Sequence, residues 1–233
     1  MTSPLAEILV VIPARGGSKG IPMKNIKELD GKPLIQYSIE LAMSLFEKEH
    51  IVVSTDHPAI QQIAQGCGLE TPKLRDAQLA QDTTSSYEVL IDLIKQKKKE
   101  GYHYKRLLLL QPTSPFRTIA HLKEVLALDS EAIDMVVSVK ETKANPYFNL
   151  FEEDTEGFLN LSKAKSISGR QYTPKVYEYN GAFYLMKVSS LEKNKISEFK
   201  YIKKYVMETY ESLDLDTQLD WDFAELILKK KKD

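Results

Sequence analysis

The sequence has little of what thiolate and imidazole sites are built from: 233 residues hold one cysteine and four histidines. Cys67 alone excludes an internal disulfide and a thiolate metal cluster, and reads as a small, part-buried residue at a helix end. His50, His57, His103 and His121 fall in no metal-ligand spacing and read as surface or helix-end residues. Charge of one sign is also lacking. With 32 Lys and Arg against 33 Asp and Glu, the formal net charge is -1, so no global field draws the chain to nucleic acid or to an anionic membrane. No apolar run approaches the roughly 18 residues of a membrane span, and no secretory apolar core is present. The expectation is a soluble, cytoplasmic protein without internal repeats or low-complexity linkers.

What is present is an alternation of short apolar runs and amphipathic stretches. "ILVVIP" (8–13), "IVVST" (51–55), "RLLLLQ" (106–111) and "DMVVSV" (134–139) are apolar on consecutive positions, the pattern of strands covered on both faces. Between them lie helical periods. Leu34, Ser38, Leu41, Ala42 and Leu45 share one face after Pro33, and 58–68 opens on a proline and stops at glycines. Residues 83–101 begin with hydroxyl caps and end in lysines and a glycine, which makes the lysine run 95–99 a solvated helix end. Strands and helices in this rhythm predict an α/β fold with a doubly wound, mostly parallel sheet. After residue 140 the rhythm breaks. Stretches 145–162 and 176–188 read as extended, turn-linked segments, an antiparallel excursion from the main sheet. The chain then closes on a short strand carrying "LDLD" and a final helix with Trp221, Ala224, Leu226 and Leu228 partly inward. The boundaries drawn from this are 1–140 plus 200–233 for an α/β domain, and 141–199 for an extended arm.

Behind the first apolar run comes "IPARGGSKGIPMKN" (12–25), which is rich in glycine and cations. A dinucleotide fingerprint requires G-x-G-x-x-G, but Gly16, Gly17 and Gly20 give G-G-x-x-G. A P-loop requires G-x-x-x-x-G-K-[ST], but Gly31-Lys32 is followed by Pro33 and lacks the earlier glycine. The remaining reading is a loop whose backbone N–H groups, Arg15, Lys19 and Lys24 surround a polyphosphate. Near the other terminus, Asp214 and Asp216 alternate in "LDLD", and in an extended segment they share a face suited to Mg²⁺ or Mn²⁺. Asp220 and Asp222 read as exposed acids of the first helical turn. "QPTSPFRT" follows a strand at its carboxyl end, where open α/β sheets bind ligands.

In its motifs the chain resembles the acylneuraminate cytidylyltransferases, also called CMP-sialate synthetases. The first loop carries the likeness, and "IVVSTD" (51–56), "LRDAQLAQDTTSS" (74–86), "LLQPTSPFRT" (109–118), "GRQYTPKVYEYNGAFY" (169–184) and "LDLDTQLD" (213–220) follow in order. The resemblance implies attack of the anomeric hydroxyl of a nine-carbon α-keto acid on the α-phosphate of CTP, with pyrophosphate leaving. It implies Arg15, Lys24 and Asp216 as catalytic residues, with Ser18, Lys19, Asn25, Arg75 and Ser86 on CTP. Gln111, Arg170, Gln171, Asn180 and Tyr184 fall to the sugar, Asp214 and Asp216 to the cation. It also implies a homodimer in which a neighbour's arm supplies cations such as Arg170.

The chain departs from this pattern in two places. Many relatives carry two arginines before the late-motif glutamine, where this chain has Gly169-Arg170-Gln171. Where relatives specific for N-acetylneuraminate can carry a basic residue, Tyr147, Phe148 and Asn149 stand. An aromatic wall there, with Tyr177 and Tyr179, suits a deoxygenated, di-N-acylated acid such as legionaminate, although Phe148 can equally be core of the arm. The alternatives are the same reaction on eight-carbon Kdo, whose enzymes usually read A-R-x-x-S-T-R-L-P-G-K in the first loop, and a non-catalytic sensor of the same fold.

Overall fold

The computed structural model describes residues 4–18, 20–70, 74, 86–163 and 170–231. The chain opens with β1 (Ile8–Ala14), the two-residue strands β2 (Glu28–Leu29) and β3 (Lys32–Pro33), α1 (Leu34–Met43), β4 (Ile51–Thr55) and α2 (Pro58–Gly66). It continues through α3 (Ser86–Lys99), β5 (Arg106–Leu109), α4 (Ile119–Ala127) and β6 (Met135–Glu141). A hairpin of β7 (Phe151–Glu153) and β8 (Leu159–Leu161) precedes β9 (Tyr177–Lys187), the short α5 (Val188–Leu191), β10 (Ile202–Val206) and α6 (Gln218–Lys230).

Six strands make one mixed, mostly parallel sheet in the order β10-β6-β9-β5-β1-β4. β1 runs parallel to β4 and β5, β10 runs parallel to β6, and β9 is antiparallel to both its neighbours. The four apolar runs supply β1, β4, β5 and β6. They are continuous because alternate residues bury in opposite layers. Val10, Ile12, Leu108 and Val136 pack with side chains of α1, α2 and α4, while Leu9, Val11, Leu107 and Val137 pack with α3. Each fully covered aliphatic side chain contributes about 1.5–3 kcal/mol, so both layers are needed. A third cluster joins Ile21, Leu34, Phe116, Leu215 and Trp221, which seats α6 against the first loop.

Caps set the helix starts. His57 accepts from Ala59 N ahead of Pro58 at the first turn of α2. Thr118 and Thr217 close capping boxes on α4 and α6. Cys67 is the half-buried cap at the end of α2, as its sequence context predicts. His50 ends a 3₁₀ turn (Lys48–His50), within its helix-end reading, but it is not at the surface. It is buried, with Nδ1 3.1 Å from the Tyr104 hydroxyl and its ring edge-on to that tyrosine.

Three further expectations are corrected. Residues 176–188 are no excursion: β9 lies between β5 and β6 at the middle of the sheet. It belongs there because it is buried on both faces: Ala182, Phe183 and Leu185 pack in one layer and Met186 in the other. Of 141–199, the β7–β8 hairpin forms a separate two-stranded sheet, with Phe158 and Leu159 largely exposed. "LDLD" is not a strand; it is irregular chain held to Thr113 O by Leu215 N at 2.9 Å. Within α6, Trp221 and Ala224 are buried as predicted, but Leu226 is exposed.

Candidate functional site

The carboxyl ends of β1, β4 and β5 open onto one edge of the sheet, and the first loop crosses it. Gly16 N donates to Asp56 Oδ1 at 2.9 Å, which ties the loop to the residue following β4. A β-carbon on Gly16 would lie 2.6 Å from the His57 ring, and one on Gly20 would lie 2.0 Å from the Asp216 carbonyl oxygen. Gly17 has nothing within 4 Å of that position. Two of the three glycines thus admit close approach of the protein's own groups, and only Gly17 leaves its backbone open to a ligand.

Lys24 sits in a single 3₁₀ turn entered through Met23 at a positive φ of 52°. It is buried, and its ammonium donates to the Leu215 carbonyl and, at 2.8 Å, to Asp216 Oδ1. Asp216 itself has a largely exposed side chain. An ammonium carries three N–H donors, and these two bonds use two of them. Asn25, also buried, closes the loop by donating to Arg15 O at 2.9 Å. Arg15 and Ser18 are half-buried beside these turns. The first loop and the acidic segment, far apart in sequence, form one cluster of opposite charges.

The second half of the site is built on a bulge in β9. Pairing with β6 jumps from Val137–Tyr184 to Val139–Tyr179, so Asn180 to Phe183 bow out of the ladder. Gly181 adopts a φ of 76° there, which glycine tolerates and side-chain-bearing residues rarely do. Ser138 replaces part of the lost ladder, accepting from Phe183 N at 2.7 Å and donating to Asn180 Oδ1 at 2.6 Å. Asn180 also accepts from Ala182 N and donates to Ser212 Oγ and Met207 Sδ. All its hydrogen-bonding positions are therefore taken. Asn180, expected at the sugar, is placed here as a buried brace for the bulge.

The loop after β5 wraps around this bulge. Arg117 is buried; it donates to Ala182 O at 2.8 Å and to Ser38 Oγ, with its guanidinium over the Phe183 ring. Burial disfavours its charge, and the nearby Asp214 carboxylate supports it. Burial likewise pushes the Asp214 carboxyl above its ordinary value; Thr113 and Lys24 work against that rise, and the negative charge of Asp216 adds to it. Tyr184 is raised by burial and then by Asp214, and its ring meets Tyr179 edge-on at 6.0 Å. Gln111, half-buried, reaches the bulge with Oε1, while Gln171 is exposed.

Among the predicted residues, Arg15, Ser18, Lys24, Asn25, Asp214 and Asp216 come together at one edge, and Gln111 and Tyr184 adjoin Asp214. Lys19 and Arg75 lie outside the described residues, as do the side chains of Ser86 and Arg170. Phe148 is no core of the hairpin: it is half exposed, lining a cavity of ≈ 330 Å³ with Lys143 and Lys175. Asp220 is an acid of the first turn of α6, as expected, though half-buried rather than exposed, and it accepts from Thr217 N and Thr217 Oγ1. No cluster of three or more His, Cys, Asp or Glu suited to a metal exists among the described residues, so a cation here would rest on the two aspartates and its ligand.

Sequence reasoning missed Asp56, Ser114, Arg117 and Gly181. All four lie in blocks that carry the family likeness, but nothing in their local spacing sets them apart from ordinary loop residues.

Comparison with known proteins agrees with this geometry. A family model described as cytidylyltransferase matches residues 9–230. Over 229 residues the chain is 35% identical to the CMP-N,N'-diacetyllegionaminic acid synthase of Legionella pneumophila, covering 95% of this chain and 96% of that protein. It is 34% identical over 231 residues to the N-acylneuraminate cytidylyltransferase of Escherichia coli O18:K1:H7, covering 97% of this chain and 53% of that longer protein. A solved CMP:2-keto-3-deoxy-manno-octonic acid synthetase complexed with CTP aligns with a TM-score of 0.70 over 96% of this chain and 99% of that one, at 17% identity, a likeness of fold alone. A basic first loop locked onto an acidic segment, inside a sheet the family model spans almost completely, leaves one assignment: the chain belongs to the cytidylyltransferase family.

Proposed function

We propose that this cytidylyltransferase joins CTP to a nine-carbon α-keto acid sugar, either N-acetylneuraminate or a legionaminate-like di-N-acylated acid. The anomeric oxygen attacks the α-phosphorus, the bond to the β-phosphate oxygen breaks, and pyrophosphate leaves with that electron pair. The observation that carries the reading is Lys24, a buried cation next to the first loop held by Leu215 O and Asp216. The names of both relatives support the substrate class.

The reaction needs alignment and charge neutralisation rather than a covalent intermediate. Lys24, Arg15 and Lys19 neutralise the triphosphate, with Ser18 and the open backbone at Gly17 beside them. Asn25 keeps this loop closed at Arg15 O, while Arg75 and Ser86 hold the cytidine. Gln111, Arg170, Gln171 and Tyr184 surround the sugar acid, Arg170 taking its carboxylate in two hydrogen bonds. Phe148, Tyr177 and Tyr179 cover the side that carries acyl groups.

The aspartate pair fits a hard cation. Its donors are oxygens only, and Asp214 has a buried carboxylate oxygen without a partner among the described residues. Mg²⁺ or Mn²⁺ there would neutralise phosphate charge and make the attacking hydroxyl more acidic. A homodimer is part of the proposal. The hairpin exposes Phe151, Phe158 and Leu159, more apolar surface than such a short element usually leaves uncovered, and a neighbour's arm would bring its own Arg170 to the site. A fully active monomer contradicts that arrangement.

The test is pyrophosphate release from CTP with N-acetylneuraminate, legionaminate, pseudaminate and Kdo, compared by kcat/KM. A preference for a nine-carbon acid is expected, with the di-N-acylated acid at least equal to N-acetylneuraminate. Preference for Kdo defeats the substrate class, and inactivity with every acid in protein that binds CTP points to a sensor.

A further inference from the structure

Three side-chain oxygens converge on one point in the bulge of β9. A β-carbon on Gly181 would lie 2.7 Å from Gln111 Oε1 and 3.4 Å from both Ser114 Oγ and Asp214 Oδ2. Ser114 is 0% exposed, and neither its hydroxyl nor Asp214 Oδ1 has a hydrogen-bond partner among the described residues. Buried polar side chains are nearly always paired, so the Ser114 hydroxyl, unpaired beside Gly181, calls for an explanation; the unpaired Asp214 oxygen is Oδ1, not the Oδ2 that lies beside the glycine. Close packing alone would be served as well by alanine at 114, without the hydroxyl.

Ser114 lies too deep for a sugar or a phosphate to touch, but a water molecule needs only a polar recess and two to four partners. Here it finds them. It can donate one hydrogen to the Gln111 amide oxygen and the other to the Asp214 carboxylate, and accept from the Ser114 hydroxyl. We propose that Gln111, Ser114 and Asp214 hold one buried water over Gly181, which makes Ser114 a positioning residue for the Asp214 carboxylate. The inference rests on the reading of Asp214 as a cation ligand. It has two consequences for the site. The carboxylate is fixed in the orientation that presents its other edge to the cation, and the Gln111 amide oxygen is anchored inward, leaving the NH₂ group to face a ligand's acceptor. It also explains why β9 carries glycine at 181. A side chain there would fill the recess as well as strain a backbone of positive φ.

The experiment is Mn²⁺ binding to the full chain with CTP and no sugar acid, read by electron paramagnetic resonance, so that no turnover enters the result. Ser114→Ala is expected to weaken Mn²⁺ about tenfold, the low end for loss of an outer-shell partner, with its melting temperature kept. Asp214→Asn is expected to weaken it more. If Ser114→Ala binds Mn²⁺ like the wild type while Asp214→Asn is impaired, the positioning role is overturned and the cation reading survives. If Asp214→Asn is also unimpaired, both are overturned. A high-resolution crystal structure of the wild type decides the matter should Ser114→Ala fail to fold. A solvent peak in hydrogen-bond reach of Gln111 Oε1, Ser114 Oγ and the Asp214 carboxylate supports the water. A Ser114 hydroxyl bonded to a protein group instead removes it.

Discussion

Asp134 and Asp214 lie at opposite ends of the same sheet, and their surroundings differ in kind. Asp134 precedes β6 and accepts from Ser190 Oγ at 2.6 Å, Tyr201 N at 2.9 Å and Lys200 N at 3.1 Å. Those bonds, the one from Ser190 foremost, hold its carboxyl below the ordinary value. Asp214 lies at the carboxyl ends of β1, β4 and β5, where burial pushes it up and one oxygen stays unpaired among the described residues. A fully bonded carboxylate ties loops to a sheet edge and asks nothing of a ligand. A buried, under-bonded one is held in a state that a cation relieves, which is the mark of a working site rather than a structural one.

The largest effect should separate the two. Asp214→Asn or Asp216→Asn is expected to lower turnover by at least about 100-fold, the scale of losing a preorganised charge at the reacting centre, while Asp134→Asn leaves turnover near wild type. Steady-state pyrophosphate release measures all three, and equal losses at 134 and 214 would break the distinction.

Lys24 comes next. Lys24→Ala should cost about 2–4 kcal/mol in kcat/KM. It should also loosen the acidic segment, because the cation that binds Leu215 O and Asp216 is gone. Arg15→Ala is expected to affect catalysis with less effect on melting. Unchanged kinetics in both variants would return these cations to the surface.

The smallest effects are in stability, and their signs are opposite. Asp134 is depressed in the folded state, so its contribution is present above the unfolded value of about 3.9 and is lost as pH falls through the folded one. Asp134→Asn should lower the melting temperature by about 2–4 °C at neutral pH, as expected for about 1 kcal/mol in a chain of this size, and the deficit should shrink in acid. Asp214 is raised, so without a cation the fold loses stability as pH climbs from about 3.9 through the raised value. In chelator, Asp214→Asn should therefore melt slightly higher than wild type above that range and no higher below it. Melting curves across pH 3 to 8 read both. A lower melting temperature for Asp214→Asn in chelator at neutral pH would refute the strained-carboxylate account.

The strands over 8–14, 51–55, 106–109 and 135–141, the helices between them and the basic first loop were legible because each is encoded by neighbours in sequence: consecutive apolar residues, helical periods, caps and a cluster of glycines and cations. The pairing of that loop with "LDLD" could be suspected only from the family likeness, since Lys24 and Asp216 are 192 positions apart. β9 was misplaced for the same reason. Its alternating pattern fits an arm as well as a central strand, and only its partners β5 and β6 choose between them.

The sequence by itself determined the class of fold, the basic, glycine-rich first loop and the acidic pair, all properties of local pattern and side-chain type. The tertiary structure decided which glycines serve packing and which stands open, that Asn180 braces the bulge, and that Ser114, Gln111 and Asp214 meet over Gly181. Those decisions depend on burial and on hydrogen bonds between distant segments. A side chain's role follows from which groups are left unpaired once the chain has closed, and no local window of sequence contains that sum.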